Sequence, residues 1–298
     1  MKQGLNTYIW RSKMYRLLII FLVLALATMA CGINIDLPGT QLETGPLQTD
    51  EIIIPAPDDP EQAVDLSLEF GAGELTLNGG AGDNLLEGEA SYNVPDFKPE
   101  VDTDFPSVGV TQGDLSIEGI PNFEDDVENE WNLLLGETPV SLEIDAGAYR
   151  GNYELGGLSL LNLDITDGAS EVDLEFSSPN LVEMNNFSYA TGASDVTLRG
   201  LANANFEDMT FRSGAGNYEL NFSGELVRDA NVNIESGIST IQIIIPDGVS
   251  AVLDFEGGLT NIDAGEGWVE EGDTYTHAGD GPTITINVTM GAGSLELN

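Results

Sequence analysis

Positive charge is what this chain has least of. Nine Lys and Arg residues stand against 51 Asp and Glu, and four of the nine (Lys2, Arg11, Lys13, Arg16) precede residue 31. Beyond that point only Lys98, Arg150, Arg199, Arg212 and Arg228 remain. So few and so scattered, they build no basic groove, which excludes nucleic acid as a partner. The surplus negative field also repels anionic polysaccharide. Cysteine is nearly missing: Cys31 stands alone, so no disulfide forms within the chain. Histidine is equally scarce. His277 is the sole one, so a histidine-based triad would need it, and zinc would lack further His or Cys ligands. Long apolar runs are absent but for Leu17–Ala30, which is shorter than the ~20 residues that span a bilayer.

That apolar run follows the basic residues and ends in Thr28-Met29-Ala30-Cys31-Gly32. A basic start, a short apolar stretch and a small residue before a cysteine is the layout of a secretory signal. It resembles the bacterial lipoprotein signal, although Thr28 stands where leucine is usual. The resemblance implies that residues 1–30 are removed, that Cys31 takes the lipid, and that the protein lives in the cell envelope outside the cytoplasm, anchored to the membrane. Residues 31–62, polar and rich in Pro, Thr, Asp and Glu, read as a flexible acidic tether.

The acidity itself has two readings. Carboxylate-rich loops suit calcium, whereas a solvated acidic surface serves solubility or is screened in salty surroundings. Clusters at Asp58-Asp59-Pro60-Glu61 and Glu124-Asp125-Asp126-Val127-Glu128-Asn129-Glu130 follow no calcium-loop spacing. No metal ligand is therefore assigned and no cofactor is expected; calcium is the one ion the composition would suit.

From about residue 63 the texture changes to alternating apolar and polar residues punctuated by glycine, which signals strands. Alignment on Gly71, Gly147, Gly168, Gly192, Gly214, Gly237 and Gly291 exposes a repeat, and six of the seven are followed by alanine, Ile238 being the exception. Apolar residues fall seven, five and three places before the glycine: Val64, Leu66 and Leu68, then Val140, Leu142 and Ile144, then Leu161, Leu163 and Ile165, and finally Ile284, Ile286 and Val288. They resume four and six places after it, as Leu75 and Leu77, Val172 and Leu174, Val196 and Leu198. The Gly147 copy reads as shifted by two, using Tyr153 and Leu155, and Gly258 marks a degenerate further copy. Period-two alternation on both sides of a Gly-Ala corner means strand, bend, strand. Glycine is expected there for a backbone conformation that a side chain forbids, and alanine for a cramped inward position.

Central copies are spaced 21, 24, 22 and 23 residues apart, a period that means stacked units sharing one core. The fold expected is all-β: a stacked, β-helix-like β-solenoid with a repeat of about 21–24 residues, formed as a single domain over 63–298. An immunoglobulin-like sandwich is the structural alternative. Residues 92–131 break the pattern with Pro95, Pro99, Pro106 and Pro121 and read as an irregular insertion or a cap on the first coils.

The segments Leu66-Ser67-Leu68-Glu69-Phe70-Gly71-Ala72-Gly73-Glu74-Leu75 and Met290-Gly291-Ala292-Gly293-Ser294-Leu295 resemble the bacterial toast-rack domain of unknown function, as does Asp167-Gly168-Ala169-Ser170-Glu171-Val172. Its relatives are the C-terminal domain of LiaF-like envelope-stress regulators and proposed β-solenoid adhesins. The resemblance implies a surface protein with a β-solenoid body, and it supplies structural glycines and no catalytic residues.

His277 in Tyr275-Thr276-His277-Ala278-Gly279-Asp280 reads as a bystander in an exposed loop. Trp131 and Trp268 are the aromatic residues to watch for sugar stacking, Trp131 reading rather as the seal of a core edge. The final strand Leu295-Glu296-Leu297 either leaves an open solenoid end that invites another chain or pairs within its own domain. The function expected is non-enzymatic: a lipid-anchored envelope protein presenting an acidic β-solenoid for adhesion, envelope sensing or assembly. Its partners are the membrane through Cys31, and an unknown envelope protein or a second copy. The alternative is a β-solenoid carbohydrate-active enzyme that cleaves neutral glycans with paired carboxylates.

Overall fold

The computed structural model describes residues 44–113 and 127–298; Cys31 and the signal lie outside the described residues. In chain order the strands are β1 (Gln48–Pro55), β2 (Val64–Gly79), β3 (Asn84–Tyr92), β4 (Pro99–Asp104), β5 (Ser107–Gln112), β6 (Asn129–Leu135), β7 (Val140–Glu154), β8 (Leu160–Glu175), β9 (Met184–Arg199), β10 (Phe206–Asn221), β11 (Ala230–Ile244), β12 (Gly248–Ala264), β13 (Trp268–Glu271), β14 (Thr274–His277) and β15 (Gly279–Leu297). Short 3₁₀ turns occupy Pro95–Phe97 and Leu201–Ala204.

The long strands stack in parallel in the order β2-β7-β8-β9-β10-β11-β15-β12. This is the β-solenoid expected from the repeat. Hairpins pair antiparallel, so the continuous parallel ladder rules out the sandwich. Each long strand is a bent rung whose alternation changes phase at the glycine. In β2, Val64, Leu66, Leu68 and Phe70 are buried before the corner, and Leu75 and Leu77 after it. Both arms thus fill one interior, and the same columns recur rung after rung as Leu142 and Ile144, Leu163 and Ile165, Ile286 and Val288. Leu161 departs from its column. A register shift at the start of β7 and β8 puts Leu160 opposite Val140, so Leu160 is buried and Leu161 is the extra residue.

The corner glycines form one column, but not for the conformational reason expected. None of the seven lies in the left-handed region. A Cβ on Gly237 would instead sit 2.5 Å from the carbonyl oxygen of Gly214, and one on Gly291 would sit 2.7 Å from that of Gly237. Gly147 meets Gly71, Gly168 meets Gly147, Gly192 meets Gly168 and Gly214 meets Gly192 in the same way. Glycine is demanded by close approach of neighbouring rungs. Positive φ falls two residues later, at Gly73, Gly216 and Gly293. Gly258 belongs to the column, its Cβ position lying 2.7 Å from the Gly291 carbonyl oxygen. The residue after the corner also differs from expectation. Because the alternation changes phase there, Ala148, Ala169, Ala193 and Ala215 point outward and are exposed, and Ile238 in the same column is 69% exposed. Ala292 is half-buried, and only Ala72, beside Asn129 of β6, is buried as expected.

The Gly147 rung is not shifted. Gly151 aligns with Leu75 and Val172, and Tyr153 with Leu77 and Leu174. Gly151 stands in the core column because a Cβ there would lie 2.9 Å from both the Tyr149 ring and the Tyr153 hydroxyl; the two buried tyrosines take the room it leaves.

One end of the stack is capped by the N-terminal strands. β5 pairs with the first arm of β2 and β6 with the second, both parallel, and β4, β3 and β1 then add antiparallel. Residues 107–111, inside the segment read as an irregular insertion or cap, therefore supply half a rung. The stretch read as a tether also differs in part. Gln48–Pro55 pairs with β3 because Ile52 and Ile54 alternate into the core at 2% and 1% exposure. At the other end the last strand in sequence is not the last rung. β15 lies between β11 and β12, Leu295 facing both Ile241 and Ile262. Its backbone is paired on both sides, which removes the open C-terminal strand.

Candidate functional surface

The outward residues of the first arms stand in rows across the rungs. Glu69 faces Asp145, and Glu143 faces Asp164. The β4–β5 hairpin leans over this wall and makes a groove of 790 Å³ lined by Asp65, Glu69, Asp102, Asp104, Glu143 and Asp164 among others. Parallel pairing spaces neighbouring rungs by ~4.8 Å, so like charges are held close. Partial burial first, then the charges of Asp145, Asp164 and Glu69, raise the Glu143 carboxyl above the usual range. Burial and then Asp145 raise Asp164, opposed by a hydrogen bond with Ser188. A carboxyl raised in the folded state favours folding while protonated, and that contribution is lost as pH rises through the raised value. Glu143→Gln is therefore expected to flatten the fall in melting temperature between mildly acidic and neutral pH. An unchanged profile in a calorimetric pH series contradicts the strain assigned to this wall.

The few arginines on the rungs are paired with acids, Arg150 and Arg199 on second arms and Arg212 on the first arm of β10. Arg150 bridges Glu74 at 3.0 Å and Glu171 at 3.1 Å. Arg199 pairs with Asp173 at 2.9 Å, and Arg212 with Glu235 at 3.3 Å. Exposed pairs of this kind contribute little, being screened by solvent; they offset repulsion between rungs without making a basic patch.

Inside the corners runs a polar seam that the sequence reading missed. Asp167 is 6% exposed. Its carboxylate accepts hydrogen bonds from Tyr189 Oη at 2.8 Å, Ser194 Oγ at 3.4 Å, Tyr149 Oη at 3.5 Å and, closest, Thr191 Oγ1. Tyr153 Oη donates to Tyr149 Oη at 3.1 Å. Burial, followed by the Asp167 charge, holds the Tyr189 phenol well above its ordinary value. Farther along, Ser213 meets Ser236 at 2.8 Å, and Ser236 meets Ser239 at 2.6 Å. The signal was present in the repeat: polar residues recur just before the corner glycine (Asp167, Thr191, Ser213, Ser236) and two places after it (Ser170, Ser194, Ser239). Around Asp167 the seam is closed from solvent and internally bonded and so acts on stability, whereas Ser213 and Ser236 are half-buried.

His277 is buried at 5% exposure and ends β14, where Nδ1 lies 2.8 Å from the Val249 carbonyl oxygen and the ring packs 5.4 Å from that of Trp268. This corrects the exposed loop expected for it: His277 faces Ala251 in the β12–β14 ladder. Trp131 is fully buried with its ring 5.2 Å from Phe70, sealing the first rungs. The 790 Å³ groove has no aromatic residue in its lining. Among the described residues no helix is long and apolar enough to cross a membrane.

A parallel coil with a glycine-stacked corner, an aliphatic interior and a carboxylate wall defines a β-solenoid repeat protein. The family model of the N-terminal domain of toast_rack, DUF2154, matches residues 43–199, more than half of the chain, and the chain belongs to that family. No functionally curated protein matches it. Among solved structures it is similar to a proposed cell adhesion protein from Clostridium sporogenes, with 19% identity, 85% of this chain and 99% of that chain covered, and a TM-score of 0.46. It is also similar to a proposed adhesin from Bacteroides fragilis, with 13% identity, 87% and 100% covered, and a TM-score of 0.44.

Proposed function

We propose that this chain is a non-enzymatic cell-envelope protein, held to the membrane by a lipid on Cys31, whose acidic β-solenoid presents a surface for adhesion, envelope sensing or assembly. The carboxylate wall carries the reading. In-register rungs hold Glu69, Glu143, Asp145 and Asp164 as neighbours on one rigid face. Ordering like charges costs free energy, and a surface that presents charge to a partner gives that cost a use. The anchor is supported by the order of basic residues, apolar run and small residue before Cys31.

The test compares cells displaying the full chain with cells displaying a form neutralised at Glu69→Gln, Glu143→Gln, Asp145→Asn and Asp164→Asn. Attachment to a surface or to neighbouring cells is expected to fall with the neutralised wall, and Cys31→Ser is expected to release the protein from the membrane fraction. Equal attachment by both forms, or hydrolysis of a neutral glycan by the purified chain, overturns the proposal.

A further inference from the structure

The displaced order of the last rungs leaves an open edge in the sheet. β12 is the outermost long rung; β15 pairs with it along Ser250–Ala264, while on its other side β14 covers only Ala251–Asp254. Phe255 N–H still reaches the Asp273 carbonyl at 2.9 Å. From Glu256 to Ala264 the far edge has no partner strand among the described residues. The core is uncovered at the same place. Phe255 and Ile262 are half-buried, whereas their neighbours Val288 and Leu295 in the same columns are at 1% and 0% exposure. Leu259 is 87% exposed. An edge strand with unpaired N–H and C=O groups beside uncovered apolar side chains is a template for strand addition.

The charge around this edge selects the occupant. Glu256 and Asp263 on the rung, Glu266 in the turn that follows it, and Glu270 and Glu271 on the neighbouring hairpin are all exposed. The ion pairs of the described residues all lie on earlier rungs. A second copy would bring the same acids against them, and like charges placed face to face oppose association. We infer that the free edge of β12 is a docking site for an extended, cationic segment of another protein, which adds as the next parallel rung. Such a segment alternates Lys or Arg with aliphatic residues that cover Phe255 and Ile262. It carries glycine where it passes Gly258, by the same approach that places a Gly258 Cβ 2.7 Å from the Gly291 carbonyl oxygen. This deepens the partner-presenting reading above by naming a partner chemistry, at a face separate from the wall.

The test uses the purified full chain in detergent and amide hydrogen exchange. The probe is a synthetic peptide of alternating lysine and valine with a central Gly-Ala pair. Two comparison peptides carry glutamate in place of lysine, or proline at alternate positions with the charge kept. Protection confined to Glu256–Ala264, given by the lysine peptide and by neither comparison peptide, is the expected result. The exposed double variant Glu256→Lys with Asp263→Lys is expected to weaken that peptide about tenfold or more. Equal protection by the proline peptide shows charge without strand pairing and overturns the inference, as does absence of protection. Concentration-dependent protection of the same amides without peptide makes a second copy the occupant and also overturns it. Because exchange is read on the isolated chain, a failure here is distinguishable from a failure of wall-dependent attachment on cells.

Discussion

Gly237→Ala is expected to destabilise the protein by about 2–3 kcal/mol, lowering its melting temperature by roughly 5–10 °C, while Ile238→Ala next to it changes stability by less than about 0.5 kcal/mol. The contrast runs against side-chain size. One added carbon on Gly237 would lie 2.5 Å from the carbonyl oxygen of Gly214 and 3.4 Å from its carbonyl carbon. Those are backbone atoms held by ladders on both sides, since Gly214 lies in β10 between β9 and β11. They cannot rotate away, so the rungs must part and parallel hydrogen bonds on either side lengthen. Ile238 is 69% exposed, and its truncation leaves no cavity. Because the φ of Gly237 lies outside the left-handed region, the cost reports rung spacing and not backbone strain. Thermal melts of the two variants check this, and equal melts would contradict the stacked column.

Removal of the buried carboxylate has an effect of similar size. Asp167→Ala is expected to cost about 3 kcal/mol, because hydroxyls of Tyr189, Tyr149, Thr191 and Ser194 lose a shared acceptor inside the corner, and a buried polar group without a partner costs about 1–3 kcal/mol. Some of that is recovered, since Thr191 and Ser194 already bond each other at 2.6 Å and Tyr153 donates to Tyr149. Asp167→Asn keeps one acceptor oxygen and the volume, and its amide finds hydroxyl oxygens to donate to, so a loss of about 1 kcal/mol is expected. Denaturant unfolding should rank wild type above Asp167→Asn above Asp167→Ala. An Asp167→Ala protein as stable as wild type would show that the tyrosine cluster holds itself together without the charge.

The repeat was legible because a solenoid writes its interior into the sequence with period two. Leu66 and Leu68 align with Leu142 and Ile144 by pattern and by pairing alike, whereas Leu75 and Leu77 pair with Gly151 and Tyr153 and not with the Tyr153 and Leu155 that the pattern offers. What the pattern did not carry was order in space. β15 reads like any other rung, and nothing local in Ile284, Ile286 and Val288 says that they pair with both β11 and β12. Orientation at the corner was hidden for a related reason: the alternation changes phase there, so Ala193 faces solvent although it follows the glycine as an inward residue would. Ile52 and Ile54 lie in a stretch that reads as a tether because two alternating residues among prolines and acids are a weak signal, and they become a strand only against β3. The polar seam is hard to see in the sequence because Asp167 is one of 51 acids, and only its column across the rungs, small and polar, sets it apart.

The proposed function requires the carboxylate wall to be a presented charged surface, with its acids laddered outward and not converging on an ion. The most direct measurement is a thermal melt of the full chain in detergent with calcium and with a chelator, at fixed high ionic strength. The wall as described predicts coincident melts, because screening is equal and no native-state ion is lost. A calcium-specific rise in melting temperature, which linkage assigns to an ion bound by the folded state alone, would contradict it.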